Sequence, residues 1–136
     1  MNPDINTQVL SLYRTDPGLA QYLIYNLFRI LRPLRYKYKL TINEVVILNG
    51  VYLYHKHVAG SFSRRAIRRY NGYFNNNKSD YYINTLVEKG CVSVCEMRKD
   101  IPYYKITEKG ISIVNEFENC YQIALMKYIS DNSISL

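Results

Sequence analysis

The chain is poor in the residues that build metal centres, disulfide scaffolds and phosphate loops: it has three cysteines, two histidines, six glycines and no tryptophan in 136 residues. Cys91, Cys95 and Cys120 are odd in number and lack Cys-x-x-Cys spacing, which argues against a disulfide framework or a structural zinc site. Reduced, buried thiols are one reading of them. An oxidant sensor is the other, since Cys91 and Cys95 fall on the same side of a strand by period two. His55 and His57 stand two apart, so on a helix they point in different directions and cannot hold one metal. With no glycine-rich phosphate loop, no carboxylate pair in an apolar setting and no nucleophile signature, no enzyme, metal or cofactor is expected. No run of about eighteen apolar residues exists, and MNPDINTQVL lacks the basic start and apolar core of a secretory signal. The expected location is therefore cytoplasmic, with no membrane partner.

What the chain does have is a core and a localised charge. Hydrophobic residues make up 48% of it, enough at this length for one compact domain. The net charge is +7, but its placement matters more than its size. From Arg29 to Arg69 ten Lys or Arg residues face the single Glu44, a net +9, while the rest of the chain sums to −2. A basic excess confined to one third of a small chain suggests a face for a polyanion, most simply nucleic acid, because phosphate neutralisation needs clustered cations. A merely solvated basic surface is the alternative.

Asp16-Pro17 offers an N-cap followed by proline at the first helical position, and a helix is predicted from there to about Leu31, apolar on more than one side. Pro33 is expected to end it, leaving Arg32 to Lys39 (RPLRYKYK) as an extended or turning basic connection. Thr41-Ile-Asn-Glu44 reads as a capping box, opening a helix whose apolar face runs from Val45 to Val58 before the Ala59-Gly60 break. Ser61 to Tyr70 reads as a short helix with Phe62, Ala66, Ile67 and Tyr70 inward. Arg64, Arg65, Arg68 and Arg69, at i, i+1, i+4 and i+5, would then line one outer strip suited to a row of phosphates. Asn71-Gly72 turns the chain, Tyr73 and Phe74 supply anchors, and Asn75 and Asn76 read as caps of the next helix.

That helix packs inward through Ile83, Leu86 and Val87, extended backwards by Ser79 or Tyr82. Its other side carries Asn77, Lys78, Tyr81, Asn84, Thr85 and Glu88. One of Tyr81 and Tyr82 belongs to the core, and the pattern leaves open which. Gly90 is a left-handed stop, Cys91 to Met97 alternates as a strand, Arg98 to Pro102 turns and Tyr103 to Ile106 returns. Thr107 caps a last helix in which Ile111, Val114, Tyr121, Leu125 and Tyr128 recur at three- and four-residue steps.

In this order the elements resemble the MarR-like winged-helix transcription regulators, over roughly Thr41 to Tyr121. SDYYINTLVEKGCVSV is similar to that family's recognition helix with its Leu-x-x-x-Gly-x-[Val/Ile] exit, and YYKITEKGISIVNEF to its strand, Thr-x-x-Gly turn and following helix. The expected fold class is thus mainly α with a small β-hairpin. It comprises a winged helix-turn-helix core over 41–107, flanked by N- and C-terminal dimerisation helices over 1–35 and 108–130. The resemblance implies a homodimer, a recognition helix about Asn77-Lys89 in the major groove of double-stranded DNA, and a wing reaching the minor groove. The wing tip departs from the family pattern, which has an Asp with an Arg two residues later, where this chain has Asp100-Ile-Pro102. Arg98 or Lys99 could substitute, or the wing could touch only backbone.

The stretch Asn75 to Gly90 is formally neutral, so grip and readout are expected to separate. Phosphate contacts fall to Arg64, Arg65, Arg68 and Arg69 and base contacts to Asn77, Lys78, Ser79, Tyr81, Asn84 and Thr85. Asn77 and Asn84 can each pair with adenine N6 and N7, and Tyr81 can meet a thymine methyl. The 15 tyrosines could line a dimer-interface pocket for a small phenolic or lipophilic effector, as the resemblance implies, or simply pack core and interface. The competing reading is a winged-helix protein-interaction module, for instance an accessory factor of a mobile element or replication complex.

Overall fold

A computed structural model describes residues 18–72 and 75–132. The expected cap at Asp16-Pro17 and the anchors Tyr73 and Phe74 lie outside them. In chain order the elements are α1 (Gly18–Tyr38), α2 (Ile42–His57), α3 (Arg64–Asn71), α4 (Asn76–Glu88), β1 (Val92–Arg98), β2 (Ile101–Ile106) and α5 (Glu108–Asp131). The architecture is mainly α with one antiparallel hairpin. No helix among the described residues is long and apolar enough to cross a membrane.

The chain divides into two compact units, Leu34–Glu116 and the pair of segments Met1–Pro33 and Phe117–Leu136. In the second unit Leu19, Tyr128 and Ile129 are buried with Tyr22, Leu23 and Leu125 packed on them, and the Tyr22 and Tyr128 rings lie 4.8 Å apart. The same unit leaves Ile24, Tyr25 and Ile123 70%, 74% and 69% exposed, so the burial on several sides that the apolar pattern of α1 demands is not met among the described residues.

Helix α1 corrects one expectation. It runs through Pro33 to Tyr38, so Arg32 to Lys39 is helical rather than an extended connection. Proline inside a helix removes an amide donor and crowds the preceding turn, at about 3 kcal/mol. Burial of Leu34 and Leu40 in the larger unit offsets that cost. The end is sealed at Lys39, which takes a left-handed φ of 55°, while the Leu40 amide donates to the Arg35 carbonyl at 3.0 Å.

The capping box forms as predicted: the Glu44 amide donates to Thr41 Oγ1 at 3.2 Å and the Thr41 amide to Glu44 Oε1 at 2.9 Å. Val45, Ile47, Leu48 and Val51 carry the buried face of α2, whereas Val58, expected on that face, is exposed past the helix end. Helix α3 starts later than predicted, at Arg64, with Ser63 as its cap. Phe62 instead forms a two-way backbone bridge with Tyr104, its amide and carbonyl each bonded at 2.8 Å, which ties the hairpin to the start of α3.

The hairpin is tighter than expected. Lys99 and Asp100, at φ 51° and 65°, are the two central residues of the turn, and β1 and β2 extend to Arg98 and Ile101 on either side. Without Asn-Gly at the turn the sequence hides this. Pro102 sits within β2, tolerated because a two-stranded sheet leaves every strand an edge. A bulge at Cys95, between the pairs Val94–Tyr104 and Glu96–Tyr103, breaks the alternation of β1. Cys91 is buried ahead of the strand and Cys95 is exposed, so the expectation that they share a side fails.

Candidate nucleic-acid interface

Helix α4 begins at Asn76, capped by Asn75, whose side chain accepts from the Lys78 amide at 2.8 Å. Its inner face is Ile83 and Leu86, both fully buried; each contributes about 1.5–3 kcal/mol of hydrophobic stabilisation. The Cys91 amide bonds the Leu86 carbonyl at 2.9 Å across Gly90, at φ 76°, which is the left-handed stop read from the sequence. With that face inward, Asn77, Lys78, Tyr81 and Asn84 point to solvent, Tyr81 at 60% exposure. The tyrosine ambiguity resolves accordingly: Tyr82 is half-buried and its hydroxyl accepts from Asn43 Nδ2 at 2.6 Å.

Two expected readers do not face outward. Ser79 is 1% exposed and its hydroxyl has no partner among the described residues. Thr85 is half-buried and donates to the Tyr82 carbonyl at 3.0 Å. Ser79, one turn before Ile83, lies on the side that the apolar residues pull in, whereas Thr85 lies off that side and is half-buried beside Glu44 of α2, a contact that sequence spacing alone could not show.

The four arginines also divide. Arg65 and Arg69 are exposed, but Arg64 and Arg68 turn toward α4 and join it to α3. Arg68 grips Asp80 with two parallel bonds, Nε to Oδ1 at 2.9 Å and Nη2 to Oδ2 at 2.5 Å, and the carboxylate raises its guanidinium above the ordinary value. Arg64 donates from Nε to the Tyr104 hydroxyl at 3.1 Å, from Nη1 to the Asp80 carbonyl at 3.2 Å and from Nη2 to Asn84 Oδ1, with its plane over the Tyr104 ring at 5.3 Å. The single outer strip of four cations is thereby corrected to two outward and two inward, because an acid on the neighbouring helix captures those one turn apart. Asp80 was the missed residue; an acid in the first turns of the helix that follows a basic helix is the signal that could have marked it.

At the wing, Arg98 folds back onto β1 and β2, its Nη2 2.5 Å from Glu96 Oε1 and its guanidinium 4.2 Å from the Tyr103 ring centre. Lys99 is exposed at the tip. A cleft of about 270 Å³ opens between the start of α3 and β2, walled by Ser63, Arg64, Arg65 and Ile101 to Tyr103.

The far end of α4 rests on a second ionic contact. Glu44 is 2% exposed, and Lys89 Nζ donates to its Oε1 at 2.7 Å and to the Lys39 carbonyl at 2.6 Å. Burial alone would raise the Glu44 carboxyl, but the Lys89 ammonium, the Thr41 amide and the neighbouring Thr85 and Thr41 hydroxyls bring it below the ordinary carboxylate value. The Thr-x-x-Gly turn has a matching explanation. The Thr107 hydroxyl donates to the Gly90 carbonyl at 2.6 Å and accepts from the Gly110 amide at 3.1 Å. Gly110 itself approaches the Cys91 carbonyl so closely that a Cβ there would lie 2.4 Å away.

No protein-family model and no curated protein matches the sequence. Solved structures do. A MarR from Staphylococcus aureus in complex with salicylate and kanamycin aligns at a TM-score of 0.66 and 16% identity, over 96% of this chain and 83% of that one. A MarR family protein from Bacillus stearothermophilus gives 0.63 and 19%, over 99% and 85%. A mutant MarR from E. coli complexed with operator DNA gives 0.61 and 17%, over 96% and 87%. The chain has the MarR-like winged-helix fold. Within that MarR-like frame α4 stands where the recognition helix was expected, followed directly by the β1–β2 wing.

Proposed function

We propose that this chain is a cytoplasmic, homodimeric transcription regulator that lays α4 in the major groove of double-stranded DNA. The observation that carries the reading is the outward face of α4: Asn77, Lys78, Tyr81 and Asn84 stand exposed on a helix whose other face is locked into a core. Amide, hydroxyl and ammonium groups on a fixed helix suit base edges. The exposed Arg65 and Arg69 on the adjoining α3 suit phosphates, and Lys99 gives the wing tip a cation for the minor groove or its backbone. The E. coli neighbour is complexed with operator DNA, which supports duplex DNA as the ligand. Exposed Ile24, Tyr25, Ile123 and Met126 on α1 and α5 supply apolar surface for a second copy.

Fluorescence anisotropy with duplex DNA across a salt series tests this. Binding with a steep salt dependence is expected, and no binding at low salt would end the proposal. One observation favours a different reading, a protein-interaction module: the wing exposes Val94, Met97 and Ile101. A partner protein that stays bound after nuclease treatment would support that reading.

A further inference from the structure

We propose that Arg64 is a positioning residue that fixes the hydrogen-bonding polarity of Asn84, so that Asn84 meets a guanine rather than an adenine in the major groove. The inference rests on the DNA-reading role given to α4 above. Asparagine pairs with adenine by accepting from N6 through Oδ1 while donating to N7 through Nδ2. Here Oδ1 already accepts from Arg64 Nη2. The guanidinium cannot easily swing aside, since Nε is held by the Tyr104 hydroxyl at 3.1 Å, Nη1 by the Asp80 carbonyl at 3.2 Å, and its plane lies over the Tyr104 ring. Tyr104 is anchored in turn by its two backbone bonds to Phe62.

The guanidinium takes one of the two lone pairs of Oδ1, and its charge disfavours an amino donor, whether adenine N6 or cytosine N4, at the other, so that the two Nδ2 hydrogens become the favoured groups for a base. Such a donor-only edge complements the paired acceptors N7 and O6 of guanine. Arg64 is thus removed from the phosphate row and joined to the reading face. Through Tyr104 it also makes the wing a structural support of that face.

Selection of bound sequences from a random duplex pool, run in parallel on the wild type and on Asn84→Ala, Arg64→Met and Asn84→Asp, tests the inference. The position that Asn84→Ala makes indifferent identifies the contacted base. The wild type is expected to prefer guanine there, and Arg64→Met to lower the guanine-to-adenine ratio by roughly tenfold. Asn84→Asp keeps an acceptor for Arg64 but offers no donor, so it should replace guanine by cytosine even if Arg64→Met fails to fold. Adenine preferred by the wild type, the same base chosen by Arg64→Met, guanine retained by Asn84→Asp, or no position lost in Asn84→Ala would each overturn the inference while leaving DNA reading intact. No enriched sequence with the wild type would overturn DNA reading itself.

Discussion

Arg68 and Asp80 form a two-bond fork between α3 and α4, at 2.9 and 2.5 Å, with both side chains about one-third exposed or less. The fork joins two helices that are also held by the buried Ile67 and Ile83. Asp80→Ala is expected to cost about 1 kcal/mol, since solvent screens a pair this accessible. Thermal unfolding should show a fall in Tm of roughly 3–5 °C. An unchanged Tm would mean the fork does not hold the helices.

If Arg65 and Arg69 contact phosphate, as proposed, and Arg68 does not, their salt dependence should split. Arg65→Ala and Arg69→Ala should each weaken binding to specific and random duplexes alike and, with two copies bound, flatten the slope of log K against log salt by about 1.8, about 0.9 per lost phosphate contact. Arg68→Ala should leave the slope unchanged, as its charge is already matched by Asp80. Equal slopes lost in all three would restore the single row of cations that the sequence pattern suggested.

Ser79 lies inside α4's buried face with its hydroxyl unpartnered among the described residues. Ser79→Ala should therefore be neutral or stabilise by up to about 1 kcal/mol in urea unfolding, because it removes a polar group buried without a hydrogen bond. Its sequence preference should match the wild type, whereas Tyr81→Ala should relax preference without loss of stability.

Gly110 and Gly60 make a matched pair. A Cβ at Gly110 meets the Cys91 carbonyl at 2.4 Å and Ile106 Cγ1 at 2.7 Å, while one at Gly60 meets nothing within 4 Å. Gly110→Ala is expected to destabilise by roughly 2–4 kcal/mol and Gly60→Ala to stay within about 0.5 kcal/mol of wild type. Denaturant midpoints at constant slope provide the check.

Glu44 gives a pH test. Its folded carboxyl titrates below the unfolded one, so its contribution is complete above the unfolded value of about 4.3 and is lost as pH falls through the lower folded value. Glu44→Gln should cost about 1–3 kcal/mol at pH 7, because Lys89 loses its charged partner, and the gap to wild type should narrow as pH falls below about 4. A gap that stays constant from pH 7 to pH 3 would deny Glu44 that role.

What the sequence made legible is local. Thr41 with Glu44, Asn75 with Lys78, Gly90 as a left-handed stop and Thr107 with Gly110 are signals spanning a few residues, and each sits where the pattern placed it. The rest depended on partners distant in sequence. Burial of Leu34 just past Pro33 favours the continued helix, the fork to Asp80 turned Arg68 inward, and the bulge at Cys95 broke the alternation of β1. The candidate site divided the same way: Asn77, Lys78, Tyr81 and Asn84 followed from helical periodicity, while Ser79, Thr85 and Arg64 were decided by tertiary contacts.

Reading of duplex DNA by two copies of α4 is the proposal on which the other predictions about binding depend. Selection from a random duplex pool by the wild-type protein, followed by sequencing of the bound fraction, tests it most directly. An inverted repeat is expected, with half-sites centred about one helical turn, 10–10.5 base pairs, or a multiple of it apart. A bound fraction with no enriched sequence, or a single half-site without a symmetric partner, would contradict it.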